Sequence, residues 1–172
     1  MMDKEIINRV AGSSLVTFDL ETLYVPGDRV LFDLKDNLFQ GLILKEKDFR
    51  EFVKTHDWSE YGGKYVAVTC TADAIIPVWA FMLVAISLEP HASKVVMGDI
   101  QSLENQLFLE ALNKVDWESF RDRKVVVKGC SKVDVPDSVY VEAAHRLRSV
   151  AASVMFGEAC STVPLYKRPK SA

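Results

Sequence analysis

Residues 57–98 and 116–157 carry one pattern written twice at an interval of 59 positions. Asp57-Trp58 falls on Asp116-Trp117, Val66 and Val68 on Val125 and Val127, and Pro77 on Pro136. Ala85 and Leu88 fall on Ala144 and Leu147, and Ala92, Val95 and Gly98 on Ala151, Val154 and Gly157. Ten identities across these segments mark a duplication, and a duplicated unit must bury its apolar face in the same way each time. One local reading therefore constrains most of the last two thirds of the chain.

Each copy reads strand, helix, strand. In the first, KYVAVTC (64–70) is a strand of the buried type, Pro77 opens a helix over 78–88, and KVVMG (94–98) returns as a strand. In the second, the strand is 123–130, the helix runs from about Asp137 to Ser149, and the returning strand is 152–157. Between the copies, Ser102 is placed to cap a helix through Asn113, with Leu103, Leu107, Phe108, Ala111 and Leu112 on its inner face. Ahead of the repeats, LVTFDL (15–20) and RVLFDL (29–34) flank the turn signal Val25-Pro26-Gly27-Asp28 and predict a small antiparallel hairpin. KEKDFREFVKTH (45–56) gathers Phe49, Phe52, Val53 and His56 on one helical face. Helices crossing between short apolar strands imply parallel pairing and right-handed crossovers. The expected fold is α/β, a mainly parallel sheet from two duplicated strand-helix-strand units (57–98 and 116–157) with an N-terminal hairpin and helix (1–56), all in one domain over 1–172.

Composition agrees with a single filled core. The 172 residues are 49% hydrophobic and 26% charged, enough for one domain and short for two ordinary ones with a linker. A net charge of -3 argues against a phosphate-gripping surface, so nucleic acid is not an expected partner. MMDKEIINRV lacks the apolar run of a signal peptide, and three cysteines cannot all pair within one chain. The expected compartment is the reducing cytoplasm.

Each copy ends its first strand in a cysteine, Cys70 and Cys130, and Cys160 follows the second copy. Two units joined through their first strands would give the sheet order second, first, third, fourth. Its order then reverses between the strands ending in Cys70 and Cys130, and ligands of open α/β sheets bind beyond the strand ends at such a switch point. Neighbouring strands lie roughly 4.8 Å apart, so the thiols could share an ion or cluster, with Cys160 on the same edge. Thiolates are soft ligands suited to zinc or to an iron-sulfur cluster. Asp73, three residues past Cys70, and Asp99 and Glu158, following the paired glycines Gly98 and Gly157, are the acids placed to complete it. Helix capping and solvated loop charge explain these acids equally well, and buried structural thiols explain the cysteines. His56, His91 and His145 fall at the opposite edge or inside a helix, in boundary or surface positions.

Other templates fit less well. The loops after the cysteines, TADAIIP and SKVDVP, contain neither Gly nor Arg, so they offer no oxyanion cradle, and Asp73 or Asp134 would oppose a thiolate. GxGxxG, P-loop, HExxH and GxSxG are absent from the sequence. AIIPVWAFMLVAI (74–86) is uninterrupted apolar sequence, short of the roughly 20 residues that cross a bilayer. A membrane is therefore not expected, and the segment reads as a helix buried all round, covered either by the N-terminal elements or by a second subunit through Trp79, Phe81 or Met82, a homodimer.

LKEKDFREFVKTHDW, GKYVAVTCTADAIIPVWAFMLVA and GEACSTVPLYKR, in this order, resemble an uncharacterised bacterial family known only as a domain of unknown function. The resemblance brings no activity or site residues; what it implies is a setting beside the genes of sulfur-mobilisation iron-sulfur cluster assembly. The resulting expectation is a metal- or iron-sulfur-binding accessory or carrier protein with a three-cysteine site, partnered by iron-sulfur assembly proteins. The alternatives are a persulfide-bearing sulfurtransferase and a non-enzymatic interaction module with structural cysteines.

Overall fold

A computed structural model describes residues 15–129, 132–158 and 160–169. Among these residues are seven strands and four α-helices, mostly parallel α/β as the sequence predicts. They are β1 (Leu15–Asp19), β2 (Arg29–Asp33), α1 (Glu46–Thr55), β3 (Tyr65–Thr69), α2 (Val78–Leu88), β4 (Lys94–Met97), α3 (Ile100–Leu112), β5 (Lys124–Lys128), α4 (Asp137–Val150), β6 (Ser153–Glu158) and β7 (Ser161–Lys167). The strands form two sheets, β1-β5-β6-β7 and β2-β3-β4, rather than one.

The chain accordingly divides into two compact units. A nested unit is the continuous stretch Val25–Leu107, and a split unit combines residues 15–24 with the described residues from Phe108 onward. The two N-terminal strands form where expected but do not pair with each other as a hairpin. β1 runs parallel to β5, with Val16 opposite Val125 and Phe18 opposite Val127, and β2 runs parallel to β3, with Val30 opposite Val66 and Phe32 opposite Val68. These registers are the same once the 59-residue interval is applied. The cause is a second duplication, Val16-Thr17-Phe18-Asp19-Leu20 and Val30-Leu31-Phe32-Asp33-Leu34, so each repeat carries its own edge strand.

The same residues do the same work in both units. Leu20 and Leu34, Phe49 and Phe108, Val66 and Val125, and Leu88 and Leu147 are matched pairs, almost wholly buried. Asp19 and Asp33 each end their strand and accept a backbone N–H two residues on, from Glu21 and Lys35, starting a short 3₁₀ turn. Asp57 and Asp116 do likewise for Ser59 and Glu118, introducing the turns Trp58–Tyr61 and Trp117–Phe120. In the nested unit, α1 and α2 pack Phe49, Val53, Ala80, Val84 and Leu88 onto the Val66 and Val68 face of the sheet. Leu103 and Leu107 of α3 cover Ala67 on the other face. In the split unit, Phe108 and Leu112 with Val139, Ala143 and Leu147 of α4 cover Val125 and Val127.

Two further expectations need correction. The sheet order predicted for a joined sheet does not occur: β2 flanks β3 and β1 flanks β5, so neither central strand has a free edge for the other. Strand order is sequential in both three-strand parallel sets, and the inferred switch point is absent from them. Nor is α2 buried all round; Ala80, Val84 and Leu88 face the core while Val78, Met82 and Ile86 are exposed. β7 is an antiparallel edge strand that the sequence pattern concealed, because its Pro164 and mostly exposed residues lack strand alternation.

Candidate functional site

The carboxyl ends of the strands are where parallel sheets hold ligands, and the two units differ there. In the nested unit an open cleft of about 260 Å³ is lined by Cys70, Ala74, Ile76, Phe81, Met97 and Gly98, among others. Cys70 is half-buried against the core, and its thiol lies 3.9 Å from the carbonyl oxygen of Ala72. At the interval of 59, Cys70, Phe81 and Met97 become Gly129, Tyr140 and Phe156. A Cβ on Gly129 would come within 2.6 Å of the Tyr140 hydroxyl oxygen, and the Tyr140 ring meets Phe156 edge-on at 5.8 Å. In the split unit, then, the absence of a side chain at Gly129 makes room for the Tyr140 ring and hydroxyl.

That alignment corrects the supposed equivalence of the cysteines. Cys70 corresponds to Gly129, and Cys130 to Thr71. Cys130 itself lies outside the described residues. The strands that precede Cys70 and Cys130 belong to different sheets, which removes the neighbouring-strand geometry on which a shared thiol site was built.

The remaining predicted ligands are dispersed. Asp73 is exposed in the loop after Cys70. Asp99 caps α3, accepting the Ser102 amide at 2.8 Å and its hydroxyl at 2.7 Å, and these two bonds hold its carboxyl below the ordinary range. Glu158 and Cys160 belong to the split unit, at the tight β6–β7 connection, and both are exposed. Among the described residues, no three His, Cys, Asp or Glu side chains come together as a metal-holding group. Of the histidines, His56 lies in an aromatic cluster with Phe52 and Trp58, while His91 and His145 are exposed.

The polar feature of the nested edge is one that sequence reasoning passed over. Asp33, at the end of β2, receives the Thr71 amide at 3.0 Å on Oδ1 and the Thr71 hydroxyl at 2.5 Å on Oδ2, fastening the loop that carries Cys70 to the neighbouring strand. Burial pushes the Asp33 carboxyl up, but the bonds from Thr71 and Lys35 outweigh it and the net shift is downward. In the split unit the corresponding acid, Asp19, meets Lys128 at 3.3 Å and holds that ammonium above its usual range. The duplicated Phe-Asp-Leu phrase was the signal.

A second feature is the outer face of α2. Val78, Met82 and Ile86, with Ile75 just before the helix, are between 58% and 95% exposed. Their counterparts around α4 are Asp137, Val141, His145 and Asp134. One scaffold position therefore carries an uncharged stripe in one unit and a mostly polar one in the other. Among the described residues no helix is long and apolar enough to cross a membrane.

No curated protein and no solved structure matches this chain at a significant level. A family model described as "Protein of unknown function (DUF2480)" matches residues 4–168, and the chain belongs to that family.

Proposed function

We propose that the chain is a non-enzymatic interaction module whose docking surface is the outer face of α2. The observation that carries this reading is the contrast between α2 and α4. The fold tolerates Asp137 and His145 on that face of α4, so it does not itself call for Val78 and Ile86 at the same places on α2. Contiguous exposed apolar surface is disfavoured in a chain that has no use for it. A photo-reactive residue at Met82, with Val141 as the matched control, tests this in intact host cells. Protein adducts are expected at 82 and not at 141; equal labelling at both, or none at 82, refutes the reading.

A second reading keeps chemistry for the thiols: a metal- or iron-sulfur-binding accessory or carrier serving iron-sulfur assembly proteins, or a persulfide acceptor. It is favoured by Cys70, which lines an open cleft at a strand end, and by the genomic setting that the family resemblance implies. Iron, zinc and acid-labile sulfide analysis of anaerobically purified protein decides it. Metal near one site per chain, lost in Cys70→Ser, supports the carrier, and sulfur uptake by Cys70 from a cysteine desulfurase without metal supports transfer.

A further inference from the structure

The exposed stripe on α2 is symmetric about its centre. Val78, Met82 and Ile86 follow one another at intervals of four, so Val78 and Ile86 lie one helical turn to either side of Met82. Rows of this spacing are the ridges that interlock when two helices pack. From residue 74 to residue 88 the sequence has no charged side chain, and its one hydroxyl, Ser87, is used on the Leu83 carbonyl of its own helix.

Resting on the docking reading above, we infer that the occupant of this face is a second copy of the chain, with a two-fold axis passing beside Met82. Under that symmetry Met82 meets its mate and Val78 meets Ile86 of the other copy, an isologous contact that needs no charge matching because the stripe offers none. The two helices run antiparallel, which also opposes their dipoles favourably. Val78, Met82 and Ile86, with Ile75 just before the helix, present on the order of 300 Å² of apolar surface per copy, so the pair withdraws about 600 Å² from these residues alone. Atoms flanking the stripe, Trp79 and Leu83 among them, carry the total toward the roughly 1,200 Å² at which specific interfaces begin. The expected dimer is therefore concentration-dependent. α4 suits such a contact less well, since Asp137, His145 and Asp134 would have to leave water to enter the seam.

The test uses the full chain. Sedimentation velocity is expected to show a monomer giving way to a dimer as concentration rises toward about 100 µM, and Met82→Glu to hold it monomeric while Val141→Glu does not. Met82→Cys is expected to form a reducible dimer under mild oxidation, well above wild type and Val141→Cys, whose side chain is as exposed at 70%. Met82→Gln, with circular dichroism on each variant, separates loss of contact from loss of fold. A chain that stays monomeric with Met82→Cys no more cross-linked than Val141→Cys overturns the inference. If the photo-reactive residue at 82 then captures a different protein, the docking reading survives and the second copy does not; if it captures nothing, both fall.

Discussion

Replacing Leu34 by Ala should open the nested unit and leave the split unit closed, and Leu20→Ala should do the reverse. Both leucines are fully buried, Leu34 with Phe32, Val66 and Ala80 and Leu20 with Phe18, Val125 and Val139. Each substitution removes three buried carbons, worth about 2.4 kcal/mol by transfer, and leaves a cavity, so the full cost is about 3–4 kcal/mol. With a urea dependence of about 1.5 kcal/mol/M, that is a midpoint roughly 2 M lower. Hydrogen exchange read by mass spectrometry locates the effect, because local opening is reported segment by segment. In Leu34→Ala the strands Tyr65–Thr69 and Lys94–Met97 should exchange faster while Lys124–Lys128 and Ser153–Glu158 keep their protection. Equal acceleration in both sheets, faster exchange of β3 in Leu20→Ala, or a cost under about 1 kcal/mol would refute the assignment of one edge strand to each core.

Two further outcomes follow from the strand ends. Thr71→Val removes the hydroxyl bond to Asp33, whose side chain is 11% exposed, and should cost about 1 kcal/mol at pH 7 in urea unfolding, short of the full value for a buried charged bond because Thr71 is exposed. Asp33 has a lowered folded pKa, so its contribution is complete above the unfolded carboxyl value of about 3.9 and is lost as pH falls through the lower folded one; the gap between wild type and Thr71→Val should shrink by pH 3, and a gap independent of pH would count against the bond. Native alkylation followed by mass spectrometry should modify Cys160, exposed beside the β6–β7 connection, well before the half-buried Cys70; the opposite order would mean that Cys70 is an activated thiol and would favour the sulfur-transfer reading.

Much of this protein is local and was legible as such. The period of α1, the Pro77 and Pro136 helix starts, and the β-branched runs of β3 and β5 each place an element within a residue or two of where it lies, because turn chemistry and apolar spacing act over a few residues. The interval of 59 likewise foretold that strand, helix and strand would recur in the second copy, as β3-α2-β4 and β5-α4-β6 do. Sheet membership was a different kind of question. Val16 to Leu20 and Val30 to Leu34 are nearly the same phrase, and either could fill the edge beside either central strand; a Pro-Gly turn between them even argues for pairing with each other. The choice is made by which helices close over which strand pair, a sum of contacts between residues as far apart as Phe18 and Val127 that no window contains. Once β1 and β2 occupy those edges, the strands before Cys70 and Cys130 belong to different sheets, and the three-thiol geometry inferred from one shared sheet loses its basis. The stripe on α2 belongs to both levels: its apolar content is written in the sequence, but only packing shows that Ala80, Val84 and Leu88 take the core and that Val78, Met82 and Ile86 are left facing outward, because a helix laid on one face of a sheet can bury only one side of itself.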